Sequence, residues 1–388
     1  MARRTVVSLS LPATSIPIYT GLGAADFAAG PGFATPFFAG DSTVRSLNRT
    51  RLVGAPGLAP ALRGRTAAEL LSARVVAGLV LAAAEPLGLD PATPDLLLAF
   101  DRCFDDAAAR PVAQTIAVEV GRRLAALLLT LHHGEPSDRA ARPDWGDAQW
   151  AFWHSVERVV VGGGLFAGRL GRTAVPAASK FLAAAGCPVV VERSAHGGAI
   201  ALAGLARHAP PDAARMLLFD FGQTSVKRGE AVYREGRLVE LQLRPSLPAP
   251  EGGAPDEPIE VTQGRWATMR DLVVAGWRSL VTTGEHSRTV VGLSLATHLR
   301  DGHPFVTDHG PYSRLGLLAP HLATFMRDEL AAALGPFRSF ALLHDGLAAA
   351  STRAGEPRTV VLALGTAIGA GYVPVGVGLR AVRFKEDR

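Results

Sequence analysis

The sequence predicts an α/β protein, and three observations carry that reading. Short apolar runs of strand length alternate with longer stretches of helical period, the pattern of strands connected through helices. Two of those runs, residues 217–222 and 359–365, end in glycine turns. The chain has 388 residues, 48% of them hydrophobic, which suits two packed lobes better than one core.

Each element follows from its residues. Residues 1–65 are rich in Gly, Pro, Ala and Thr and read as short strands and loops. Residues 66–87 read as a helix: Thr66 can cap it, and Glu69 stands at the third helical position. Leu70, Leu71, Val75, Leu79 and Leu81 then follow. Residues 111–132 form a second helix. The next stretch, "HGEPSDRAARPDWGDAQWAFW", is polar yet carries three of the five tryptophans, and it reads as a surface insertion, a lid or a contact. "VERVVVGGGLFAGRLG" is a strand, a glycine turn and a helix start, and "CPVVVERSAHGGAIALAGLARH" is a strand followed by a small-residue helix. "APPDAARM" reads as a linker, after which "LLFDFG", "SVKRGEAVYREG" and "RLVELQLRP" form a strand meander. "PSLPAPEGGAPDEP" is a loop, residues 266–281 a helix, "RTVVGLSLA" a strand and residues 318–334 a helix. "SFALLHDG" is a strand ending in an acid, "AAAS" begins a short helix, and "TVVLALGTAIGAGYVPVGVG" closes the chain as a glycine-rich hairpin. The strand-to-glycine-turn hairpin thus occurs twice, which hints at an internal duplication.

Composition narrows the partners. Net charge is +5, but only Lys180, Lys227 and Lys385 are lysines, so the basic excess is arginine spread along the chain. A nucleic-acid binder usually concentrates such charge in a stripe, and that partner is not expected. Two distant cysteines, Cys103 and Cys187, give neither a disulfide framework nor a zinc spacing. No apolar run is long enough to span a bilayer, and the N-terminal one is short for a signal peptide. The expectation is a cytoplasmic protein with no membrane partner.

The chemistry lies in the turns. Glycine lets backbone N–H groups approach an anion closely, because no Cβ intervenes. "GQTS" offers amides and hydroxyls at Gly222 and Thr224; "GTAIGAG" offers them at Gly365, Thr366 and Gly369. Two such turns can clamp a polyphosphate, with Asp220 at the strand end holding Mg²⁺ directly or through water. Each turn by itself is equally a tight hairpin. Asp345 in "ALLHDGLAAA" suits a general base for a substrate hydroxyl, and it equally suits a helix cap. Gly162, Gly164 and Gly168 after a strand mimic a dinucleotide fingerprint, yet the acid that follows, Glu192, lies farther on than the roughly 20 residues such a fingerprint places it. Gly162, Gly163 and Gly164 can instead lie flat against a nucleobase.

Taken together, these stretches resemble the actin–hexokinase superfamily, and within it the ROK (repressor, open reading frame, kinase) sugar kinases. "DFGQTSVK" looks like the family's first phosphate motif, "LGTAIGAG" like its second, "VVVGGG" like its adenosine motif, "HGGAIALAGLA" like its closing helix and "HDGLAAA" like the segment that carries its catalytic aspartate. The order differs: here the adenosine motif and the closing helix precede the first phosphate motif, the aspartate and the second phosphate motif, as in a circular permutant.

The resemblance implies a two-lobed actin-like ATPase (ribonuclease H-like) fold, circularly permuted. Its larger lobe would comprise residues 1–190 with 346–388, and its smaller lobe residues 191–345. It implies ATP and Mg²⁺ as cofactors, a sugar or sugar-like polyol as substrate and Asp345 as catalytic base. Asp220, Gly222, Thr224, Gly365, Thr366 and Gly369 would hold the phosphates and metal, Gly162–Gly164 the adenine, and His344 the substrate. Lys227 suits a phosphate contact or a solvated strand lysine. The family's cysteine-rich zinc site and sugar-reading motif have no counterpart, so no zinc is expected, and homodimerisation is left open. The expected activity is an ATP-dependent sugar kinase. A non-catalytic ROK-like sensor and a dinucleotide-dependent oxidoreductase are the alternatives.

Overall fold

A computed structural model describes residues 16–19, 46–254, 256–280, 286–300, 302–305, 311–374 and 379–381. Expectations for residues 1–15 and 20–45, and for the end of the closing hairpin at 375–378, lie outside the described residues. In chain order the strands are β1 (Ile18–Tyr19), β2 (Arg158–Gly162), β3 (Val190–Arg193), β4 (Arg215–Phe221), β5 (Ser225–Arg234) and β6 (Arg237–Pro248). There follow β7 (Thr289–Leu295), β8 (Leu299–Arg300), β9 (His303–Pro304), β10 (Ser339–His344), β11 (Thr359–Leu364) and β12 (Ile368–Tyr372). The mixed α/β class read from the sequence is what the chain forms.

The chain divides into two units. One comprises residues 1–21, 205–344 and 378–388; the other comprises residues 22–204 and 345–377. The first holds a sheet of order β1-β10-β7-β4-β5-β6. Its strands β1, β10, β7 and β4 run parallel, and β5 and β6 return antiparallel. Parallel strands buried on both faces read as continuous apolar runs, which is why "RTVVGLSL" and "SFALL" show no alternation. One face packs Phe219, Phe221, Leu293 and Leu342 against helices Ile259–Leu280 and Leu322–Leu334. Both helices differ from the reading at the N-terminal end: the first starts seven residues earlier, the second four residues later.

The second unit holds the order β12-β11-β2-β3, with β11, β2 and β3 parallel and β12 antiparallel. Helix Arg110–His133 and helix Arg169–Ala184 meet where Gly121 has no side chain: a methyl group there would stand 2.4 Å from the Ala174 carbonyl oxygen. The capping box at Thr66 and Glu69 forms, with Thr66 N–H donating to Glu69 Oε2 at 2.7 Å and Glu69 N–H to Thr66 Oγ1 at 3.3 Å. The helix it starts is not continuous. Ser72 adopts an extended conformation and splits it into Ala68–Leu71 and Ala73–Ala82. The break frees Ala73 N–H to donate to Gly365 O at 2.8 Å, a bond to the closing hairpin that a continuous helix would forbid.

The tryptophan-bearing insertion is corrected in part. Trp145, Trp150 and Trp153 are 5%, 2% and 2% exposed and belong to the core of their unit, so the tryptophans face inward while Ser137, Arg139, Asp144 and Asp147 stay on the surface. Two of its polar residues, Asp138 and Arg142, are buried with them as tethers. The Arg142 guanidinium donates to Thr50 Oγ1 and Ser46 O, both at 2.8 Å, and lies 4.4 Å from the Trp145 ring. Asp138 accepts from the N–H groups of Val53 and Gly54. Among the described residues no helix is long and apolar enough to cross a membrane.

Candidate functional site

In the first unit the motif "DFGQTS" occupies the end of β4 and its turn into β5. Asp220 is 3% exposed. Register places Lys227 of β5 and Ser294 of β7 directly beside it, one on each neighbouring strand. Ser294 Oγ donates to Asp220 Oδ1 at 2.8 Å, and Lys227 Nζ donates to Oδ2 at 3.1 Å. Lys227 is therefore the ion-pair partner of Asp220, with its side chain 29% exposed. Ser294 escaped the sequence reading because it lies inside the apolar run "VVGLSLA"; a lone hydroxyl in a buried strand was the available signal.

The turn itself is anchored from behind. Gly222 N–H donates to Ser225 O at 3.1 Å, and the Tyr312 hydroxyl donates to Gly222 O at 2.9 Å. Tyr312 is fully buried, and burial, aided by the Asp220 charge, pushes its hydroxyl well above the usual phenol range. Gln223 and Thr224 stand exposed at the tip, and Thr224 O accepts from Ala249 N–H.

The loop leaving β6 is held in place by a buried pair. Arg265 Nη2 meets Glu257 Oε2 at 2.5 Å, Arg265 Nη1 donates to Pro311 O, and Gly253 N–H and Thr262 Oγ1 also donate to Glu257. Burial works to raise the Glu257 carboxyl, but those donors together hold it down at about 2. Pro311 precedes Tyr312, so this pair and the turn at Gly222 share one support.

His344 ends β10. Its register partner is Leu295, and Leu295 pairs with Phe221, so alternation puts His344 on the face opposite Asp220. There its ring lies 4.4 Å from that of His298, a residue the sequence reading passed over.

In the second unit Asp345 heads helix Asp345–Ala350, half-buried, with Oδ1 accepting from Gly346 N–H at 2.7 Å. The small residues of "HDGLAAA" have a structural reason. A methyl group at Gly371 of β12 would stand 1.9 Å from Gly346 O, and one at Gly204 would stand 1.6 Å from Ala348 O. The helix lies directly on backbone. This brings the acid to the second glycine hairpin: Asp345 Oδ2 is 3.9 Å from where a side chain at Gly369 would begin.

The hairpin connecting β11 to β12 is cross-braced. Asn48 Nδ2 donates to Ile368 O at 3.0 Å while Ile368 N–H donates to Asn48 Oδ1 at 2.9 Å. Gly365 N–H bonds to Ala367 O across the tip. Thr366 is exposed, and a side chain added at Gly365 would meet nothing within 4 Å.

The glycines of "VVVGGG" divide. Gly162 and Gly163 are buried, and a methyl group at Gly163 would stand 2.4 Å from Leu364 O. Gly163 also has φ of +92°, a conformation that favours glycine. Only Gly164 is exposed, with nothing within 4 Å of an added side chain. A dinucleotide site of the usual kind would put a pyrophosphate at the N-terminus of the following helix. That terminus is already filled: Asp101 Oδ1 accepts from Arg169 N–H at 2.6 Å and from Leu170 N–H at 3.1 Å. Glu192, the acid of that reading, is engaged by Arg158 and Arg353.

Magnesium has a restricted fit. Both Asp220 oxygens carry partners, one of them an ammonium group, so the arrangement suits an ion that keeps its water and phosphate ligands and meets Asp220 through water. Among the described residues no group of three or more His, Cys, Asp or Glu side chains could hold a metal. Cys103 and Cys187 are both buried, and burial raises their thiols.

No family profile matches the chain, and no curated protein matches it. Among solved structures, a Bacteroides thetaiotaomicron protein described as having an actin-like ATPase fold and unknown function is similar at 10% identity and a TM-score of 0.21. The match covers 43% of this chain and 45% of that protein, less than half of its length.

Proposed function

We propose that the protein is an ATP-dependent phosphotransferase acting on a hydroxyl of a sugar or sugar-like polyol, a permuted relative of the ROK kinases. The observation that carries this reading is the placement of Asp345 against Gly369: a carboxylate suited to take a hydroxyl proton adjoins an open glycine hairpin suited to phosphate. In this reading the substrate hydroxyl oxygen attacks the terminal phosphorus of ATP, the bond from that phosphorus to the β-phosphate oxygen breaks to release ADP, and Asp345 Oδ2 accepts the hydroxyl proton. Gly365, Thr366 and Gly369 hold phosphate oxygens through backbone N–H groups and the Thr366 hydroxyl. Asp220, fixed by Ser294 and Lys227, would be the residue to hold a magnesium ion through water. Magnesium supplies neutralisation of the charge on the phosphoryl group being transferred. Gly164 is the one glycine of its motif with room for a base.

One observation favours the second reading, a nucleotide- or sugar-binding regulator without turnover: Lys227 already neutralises Asp220. A coupled assay of ADP release over hexoses, amino sugars and cyclitols separates the two. Turnover abolished by Asp345→Asn supports the kinase; ATP binding without turnover on any polyol supports the regulator.

A further inference from the structure

The first unit contains a pocket that the proposed chemistry does not use. It has a volume of about 220 Å³ and opens where helix Ile259–Leu280 ends above β4, β5 and β6. Leu217, Phe219 and Leu280 give it an apolar floor, Arg228 and Arg244 line it from the sheet, and Ser279 lines it from the helix. Phe219, Arg228 and Arg244 are direct register partners across the three strands, so their side chains form one row on one face.

Two arginines directly opposite each other in a sheet repel. Local groups offset little of this. The Arg228 guanidinium makes one hydrogen bond among the described residues, from Nε to Pro245 O at 3.0 Å, and no ion pair. Arg244 stands 3.9 Å from Glu230 Oε2 and 3.4 Å from Gln242 Oε1. Glu230 is not free to serve both, because its other oxygen is bound by Arg215. A guanidinium presents a planar fork of donors that matches a carboxylate.

We infer that this pocket binds a small organic acid, its carboxylate held by Arg228 and Arg244 and its apolar body lying on Leu217, Phe219 and Leu280. The volume falls below the roughly 300 Å³ at which sites for drug-sized ligands begin, so the acid is small. Strand alternation puts Phe219 and Arg228 on the face opposite Asp220 and Lys227.

The test is calorimetric titration of the full chain with sodium benzoate and with benzyl alcohol, which shares the ring but lacks the charge, each in the presence of saturating ATP. Benzoate is expected to bind at least about tenfold more tightly than the alcohol, and Arg228→Gln with Arg244→Gln to remove that preference. Equal binding of the two compounds, binding of neither, or a preference unchanged in the double variant would overturn the proposal. The comparison of the two compounds on the unaltered chain stands even if the double variant does not fold. ATP binding does not enter the readout, so the outcome is independent of the kinase reading.

Discussion

The two glycine hairpins are built on the same plan and wired in opposite ways. Each follows a parallel strand with an antiparallel return, β4 into β5 and β11 into β12. At the first, the polar groups are charged: Asp220 is buried between Ser294 and Lys227. At the second the bracing groups are neutral: Asn48 and the Ala73 N–H hold the backbone, the tip is left open, and the Asp345 carboxylate stands beside Gly369. A buried carboxylate with an ammonium partner can respond to a neighbouring charge, whereas a neutral braced loop can only present amides. The comparison teaches that similar-looking motifs divide the work, one tuning charge and the other holding shape.

The largest expected effect breaks the charged hairpin. Lys227→Met leaves Asp220 buried and without its cation, and removing one partner of a buried pair costs about 3 kcal/mol or more. Urea unfolding should show the loss, and Lys227→Met with Asp220→Asn should recover much of it.

Acid tests the support behind that same hairpin. The Glu257 carboxyl has an ordinary value of 4.5 and is held at about 2 in the folded chain. A depressed carboxylate contributes stability fully present above the unfolded value and lost as pH falls through the folded one. Stability should therefore decline between about pH 4.5 and about pH 2, by up to about 3 kcal/mol from this group. Glu257→Gln should flatten that part of the profile.

The second hairpin is sharpened by a pair of glycine changes. Gly371→Ala drives a methyl group against the Gly346 carbonyl and should cost about 1–3 kcal/mol. Gly365→Ala meets open space and should leave thermal stability within about 0.5 kcal/mol, while weakening ATP binding if the tip holds phosphate. Smaller still among the destabilising changes, Asn48→Ala removes two hydrogen bonds to Ile368 and should cost about 1–2 kcal/mol.

What could be read beforehand was local. "LLFDFG" announced a strand and turn because buried parallel strands are continuously apolar, and the Thr66–Glu69 box was legible at a spacing of three. What could not be read was set across the chain. Ser72 interrupts its helix for a bond to Gly365, and Asp101 caps a helix 68 residues away, so neither has a signal in its own neighbourhood. The tryptophan stretch misled because its charged residues suggest solvent, whereas Arg142 and Asp138 turn inward and bond to the backbone and side chains of residues 46–54. His298 and Ser294 acquire meaning only once register places them beside His344 and Asp220.

The most direct test of the central claim is ADP release by the full chain with ATP, Mg²⁺ and a panel of polyols, comparing the unaltered protein with Asp345→Asn. The account predicts turnover on at least one polyol, lowered about a hundredfold to ten-thousandfold by the substitution, with ATP affinity unchanged. Turnover that survives Asp345→Asn, or ATP that does not bind at all, would contradict it.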